Sequence, residues 1–187
     1  MNPEQQERAY LYQLLARLFS QPVDQPLLDG LAAIELVEPQ SQEVFYSAWQ
    51  ELSQIATIMD VEMLDDEFHQ LFIGLGRGEL SPFYSYYETG FLMEKPLAHL
   101  RADLQKLGYQ RQQDNKEPED HISAICEVMA LLIIDNREEQ SEFFQRHIKP
   151  WFGRFFEDLK QTPTGIFYPA LAQLGESFLQ MENSRLD

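Results

Sequence analysis

The sequence predicts an all-α protein, a helical bundle folded as one domain over residues 1–187. Three observations carry this. Apolar residues recur at three- and four-residue steps along most of the chain, which places them on one face of a helix. The apolar–polar alternation of a half-buried strand is nearly absent. Proline and glycine mark several breaks between the periodic segments, at Pro22, Pro26, Gly108 and Pro118, where they stop or start helices. No internal repeat or low-complexity tract interrupts the pattern.

The elements follow in order. Leu11, Leu14, Leu15, Leu18 and Phe19 form the first stripe, with Tyr12 beside it. Leu27, Leu28 and Leu31 suit a short second helix after Pro26, and Phe45, Trp49, Leu52, Ile55 and Ala56 a third. Asp65 or Asp66 is placed to cap a segment carrying Phe68, Leu71 and Phe72, since a short acidic side chain can accept the free N–H groups of a first turn. From Gly74 to Gly90 the helical period is lost, and the segment reads as a long structured loop; loops of that length are uncommon and often functional. Pro96, Leu97, Leu100, Leu104 and Leu107 resume the period, with Gly108 as the stop. Gln110 to Lys116 is polar and expected on the surface.

The segment NKEPEDHISAICEVMALLII starts at Asn115. Pro118 fits a first helical position, where its missing N–H costs nothing. Glu119 and Asp120 then suit the positive end of that helix, which puts Asp120 and His121 in an exposed first turn. Ile122, Ile125, Cys126, Met129, Leu132 and Ile133 are its buried stripe. After a polar break, the apolar and aromatic positions from Phe143 to Leu159 predict one long helix, with Pro150 at a kink or a restart. Phe167 to Leu179 predicts the last helix.

Composition excludes some functions. The formal net charge is -17, which argues against nucleic acid, whose binding needs Lys and Arg to neutralise phosphates. It argues similarly against anionic membrane surfaces; the acidic surface either attracts a partner with a basic segment or only keeps the protein soluble. No apolar run is long enough to span a bilayer. The N-terminus lacks the basic start and continuous apolar core of a secretion signal. Cys126 is the only cysteine, so no internal disulfide forms. The expected compartment is a reducing cytoplasm.

Candidate chemistry is sparse. Asp120 and His121 could serve as acid and base, but helical neighbours point about a hundred degrees apart. The plain alternative is a capped helix with one histidine in its first turn. None of His69, His99, His121 and His147 has the HxxxH spacing of a zinc site, so no metal or other cofactor is expected. Gly74, Gly76 and Gly78 match neither a P-loop nor a dinucleotide fingerprint. Phe83, Tyr84, Tyr86, Tyr87 and Phe91 share no helical face. They either pack locally under a loop or line a groove for an apolar peptide.

At Glu117-Pro118-Glu119-Asp120-His121-Ile122 the chain resembles the E-P-x-D-H-[IL] signature of the TorD/DmsD/NarJ family. Phe144, His147, Ile148, Trp151 and Phe155 are similar to the family's second block, F-x-x-H-[apolar]-x-x-W with a later Phe. Phe68 to Gly74, Arg77 to Leu80 and Ser81-Pro82-Phe83-Tyr84-Ser85-Tyr86-Tyr87 resemble its loop region, in the TorD-like rather than the DmsD form. The resemblance implies an all-helical cytoplasmic chaperone without turnover. Its client would be a molybdopterin-dependent oxidoreductase carrying a twin-arginine signal peptide. The chaperone would bind that peptide and the apoenzyme, assist cofactor insertion and delay export.

By family position, Phe68, Phe72, Pro82, Phe83, Tyr87, Glu117, Asp120 and His121 are the expected client contacts. Phe72 and Phe83 would give apolar contact; Glu117 and Asp120 would face the arginines. His147 and Trp151 are expected to be structural. Some family members bind guanine nucleotide weakly or exchange helices to dimerise, and this sequence carries no signal for or against either. It does not distinguish trimethylamine-N-oxide reductase, dimethyl-sulfoxide reductase and formate dehydrogenase as clients. The rival readings are a helical adaptor for a folded partner and a small helical enzyme using Asp120 and His121.

Overall fold

Ten α-helices and one π-helical turn account for most of a computed structural model that describes residues 1–34, 43–74, 78–111 and 116–186. No strand occurs among the described residues; one isolated antiparallel bridge joins Phe83 to His121. No described helix is long and apolar enough to cross a membrane. Gly76 and Arg77, singled out in the sequence, lie outside the described residues.

The chain forms two compact units. The first comprises Met1–Ser20 and Ser81–Trp151, with Leu186. It holds α1 (Pro3–Ser20), α5 (Tyr84–Thr89), α6 (Lys95–Leu107), α7 (Ile122–Ile134) and α8 (Gln140–His147). α1 starts with a reciprocal cap: the Gln5 N–H donates to Asn2 Oδ1 at 2.8 Å and the Asn2 N–H donates to Gln5 Oε1 at 3.0 Å. Its buried face packs on α7, and Tyr12 belongs to the core, at 2% exposure. Every residue of the predicted α7 stripe is buried, each large aliphatic side chain adding about 1.5–3 kcal/mol. α6 ends where predicted, at Gly108 with φ 80°.

The second unit comprises Gln21–Leu80 and Phe152–Arg185. It holds α2 (Gln25–Ala32), α3 (Glu43–Ala56), α4 (Val61–Phe68), α9 (Phe152–Gln161) and α10 (Phe167–Leu186), with the π-turn His69–Ile73 after α4. Asp24 caps α2 and Asp60 caps α4, accepting the Met63 N–H at 2.9 Å. The cap of α4 is therefore not Asp65 or Asp66, which lie inside the helix. Buried Glu67 reaches the start of α10, accepting the backbone N–H groups of Tyr168 at 2.7 Å, Ile166 at 3.2 Å and Phe167 at 3.3 Å. Burial raises its carboxyl above the usual range, partly offset by those three N–H donors.

Three further expectations change. The loop after Gly74 contains α5, only six residues long. The aromatic run from Phe143 to Leu159 is two helices, separated at 148–151. α7 begins at Ile122, so Pro118 is not its first residue. Instead Pro118 accepts the His121 N–H at 3.2 Å and opens a turn into the helix.

Candidate functional site

Within the first unit two segments distant in sequence interlock. The Tyr84 N–H donates to the Asp120 carbonyl at 2.9 Å, and the Ile122 N–H donates to the Pro82 carbonyl at 2.9 Å. This bridge brings buried Pro82 and half-buried Phe83 against Asp120 and His121, with the Phe83 and His121 rings edge to face at 4.9 Å. Tyr87, one turn along α5, is half-buried and tilted against Trp151 at 5.5 Å; Tyr84 stacks on the same indole at 5.9 Å.

Asp120 is 1% exposed. Its Oδ2 accepts the Ser85 N–H at 2.9 Å, capping α5 across the bridge. Its Oδ1 is buried with no hydrogen-bond partner among the described residues. The exposed first turn expected for Asp120 and His121 is thus corrected: the bridge to Pro82 closes over both. Nor do the two side chains pair as acid and base, because the carboxylate serves Ser85 and the ring serves Ser123.

His121 is the N-cap of α7. Its Nδ1 accepts the Ser123 N–H at 3.2 Å and lies 2.7 Å from Ser123 Oγ. That leaves the ring proton on Nε2. Burial pushes the His121 pKa down to about 4, so the ring is neutral near pH 7. Unfolding returns it to about 6.5. Between those values the unfolded chain holds the extra proton, so stability falls as pH drops from 6.5 to 4, by about 3 kcal/mol in full. Burial lowers His147 too, against the opposing pull of Asp103, and acts in the same direction. His121→Asn keeps a capping acceptor and removes the titration. Its urea midpoint should therefore fall less between pH 7 and pH 4.5 than the parent's. Equal falls would contradict a buried neutral ring.

Glu117 is exposed. Glu119 is not a free acid: Arg101 donates to Oε2 through Nε at 2.9 Å and Nη2 at 2.7 Å, and Arg111 approaches at 3.8 Å. Burial raises the Glu119 carboxyl, but the guanidinium groups outweigh it and hold it below the usual range. His147 and Trp151 are buried, as a structural role requires. The His147 ring lies 3.0 Å from Asp103 Oδ2, and Trp151 Nε1 donates to the His147 carbonyl at 2.8 Å. Phe68 and Phe72 belong to the second unit, where both pack on Tyr168, at 6.0 and 5.2 Å; Phe68 is buried and Phe72 half-buried. Among the described residues no group of three potential ligands is arranged to hold a metal.

The sequence reading missed Ser85 and Ser123. Ser85 meets Asp120 only through the bridge between distant segments, which no local pattern reports, whereas Ser123 meets His121 two residues before it, a local contact that follows once α7 starts at Ile122.

The motifs carrying this arrangement lie inside residues 38–157, which match the family described as nitrate reductase delta subunit. The chain belongs to that family. The group is that of the TorD/DmsD/NarJ maturation chaperones of redox enzymes. Similar proteins include the chaperone protein TorD of Shewanella pealeana, 26% identical over all of this chain (100%) and 93% of the relative. The TorD chaperone of Actinobacillus succinogenes is 27% identical over 95% of this chain and 97% of its own. That of Shewanella piezotolerans is 28% identical over 92% and 89%. A crystal structure of a candidate redox enzyme maturation protein from Archaeoglobus fulgidus matches with a TM-score of 0.63 at 24% identity, covering 92% of this chain and 93% of that one. At that identity the likeness speaks for the all-helical fold.

Proposed function

We propose that this family member is a maturation chaperone that binds the twin-arginine signal peptide and the apo form of a molybdopterin-dependent oxidoreductase. It holds the client for cofactor insertion and delays its export. The observation that carries this reading is the interlocked turn of the first unit. It offers the half-buried rings of Phe83 and Tyr87, with buried His121 packed edge to face behind Phe83, and the exposed Glu117 carboxylate. A peptide with arginines followed by an apolar run matches that set: apolar side chains for the rings, guanidinium for the acid. On the second unit, half-buried Phe72, backed by Phe68, offers a separate apolar contact. Asp120 and Pro82 lie beneath the surface and act by holding the turn. The net charge of -17 draws in a basic segment at long range.

The test is to purify the tagged protein from its own cells and identify what accompanies it. Recovery of a molybdoenzyme precursor with its signal peptide still attached is the expected result. Recovery of mature, unrelated folded proteins alone would favour the adaptor reading instead.

A further inference from the structure

The turn after α5 exposes three consecutive large apolar side chains: Phe91 at 69%, Leu92 at 49% and Met93 at 72%. Single exposed apolar residues are ordinary; a contiguous set marks an interaction site. This one is built. Gly90 takes φ 80° and Met93 φ 60°, the left-handed region that Gly and Asn adopt readily and a methionine rarely does. Thr89 Oγ1 accepts the Phe91 N–H at 3.2 Å and donates to the Ser85 carbonyl at 2.9 Å. Ser85 Oγ accepts the Glu94 N–H at 3.3 Å. The backbone is tied at both ends while the side chains point outward, so little ordering remains to be done on binding.

We infer that Phe91-Leu92-Met93 is a second docking knob, one that inserts into an apolar cleft rimmed by Lys and Arg on the body of the client enzyme. The charge selects this occupant. A second copy of the chain would bring another net charge of -17 against the first, and an anionic bilayer would repel both. Exposed Glu88 and Glu94 flank the knob, with Lys95 beyond them, so a basic rim fits and an acidic one does not. A methionine beside an aromatic suits an adaptable apolar contact. The inference rests on the chaperone reading but concerns a surface that reading does not use.

The probe is the client subunit recovered with the chaperone, prepared without its signal peptide, and the isolated signal peptide as a separate ligand. The variant is Phe91→Ser, Leu92→Ser and Met93→Asn together, whose asparagine tolerates the left-handed backbone. It should melt no lower than the parent and bind the isolated peptide equally well. Its affinity for the signal-less subunit should fall at least tenfold. Unchanged affinity for that subunit, or no binding of it by the parent, would overturn the inference. So would co-sedimentation with phosphatidylcholine vesicles, or a dimer, seen in the parent and lost in the variant. Failure of the parent to bind the signal peptide while still needing the knob for the subunit would instead sink the peptide reading alone.

Discussion

Gly165→Ala is expected to destabilise the second unit by at least about 3 kcal/mol, because two costs fall on one atom. Gly165 has φ 72°, and a Cβ there would lie 2.3 Å from Glu67 Oε1 and closer still to its side-chain carbons. The left-handed backbone costs a non-glycine residue about 1–2 kcal/mol. Displacing Glu67 then strips the start of α10 of hydrogen bonds to a charged acceptor, worth about 1.5–3 kcal/mol each. Glu67→Ala should do comparable damage without the backbone strain. Urea unfolding of both variants checks the account; a change under about 1 kcal/mol in either would mean that Glu67 does not hold the helix start.

The second large effect separates two roles for Asp120. If it holds α5 through Ser85, Asp120→Ala should cost about 2–3 kcal/mol, the worth of a buried bond to a charged acceptor. It should also weaken signal-peptide binding at least tenfold, since Phe83 and Tyr87 ride on that turn. Asp120→Asn keeps an oxygen for the Ser85 N–H. It should stay within about 1 kcal/mol of the parent and retain most of the affinity. If Asp120 instead met a client arginine, the neutral amide would bind as poorly as alanine. Peptide titration with both variants, beside their urea midpoints, decides between the roles.

The fold was legible where periodicity is long and local. The α7 stripe and the Gly108 stop follow from spacing alone, and the family motifs led to Phe83 and His121. What escaped notice depends on contacts across the chain. α5 is too short to show a period, and its Tyr84 and Tyr87, half-buried against Trp151, are separated by Tyr86, whose ring meets that of Tyr87 edge-on. Pro118 and two acids look like a helix start, yet the bridge to Pro82 delays the helix until Ile122. The continuous aromatic pattern from Phe143 to Leu159 hides a break, because residues on both sides of it are buried. Glu67 reads as an ordinary acid of an amphipathic helix until α10 is placed beside it, about a hundred residues later.

The central claim is that this chaperone reads a basic, apolar signal peptide. Its most direct test is calorimetric titration with the signal peptide of the co-purified precursor, at low and high salt, beside the same peptide with its two arginines changed to glutamine. Binding should weaken with salt and weaken again without the arginines. No binding, or binding indifferent to both changes, would contradict that claim.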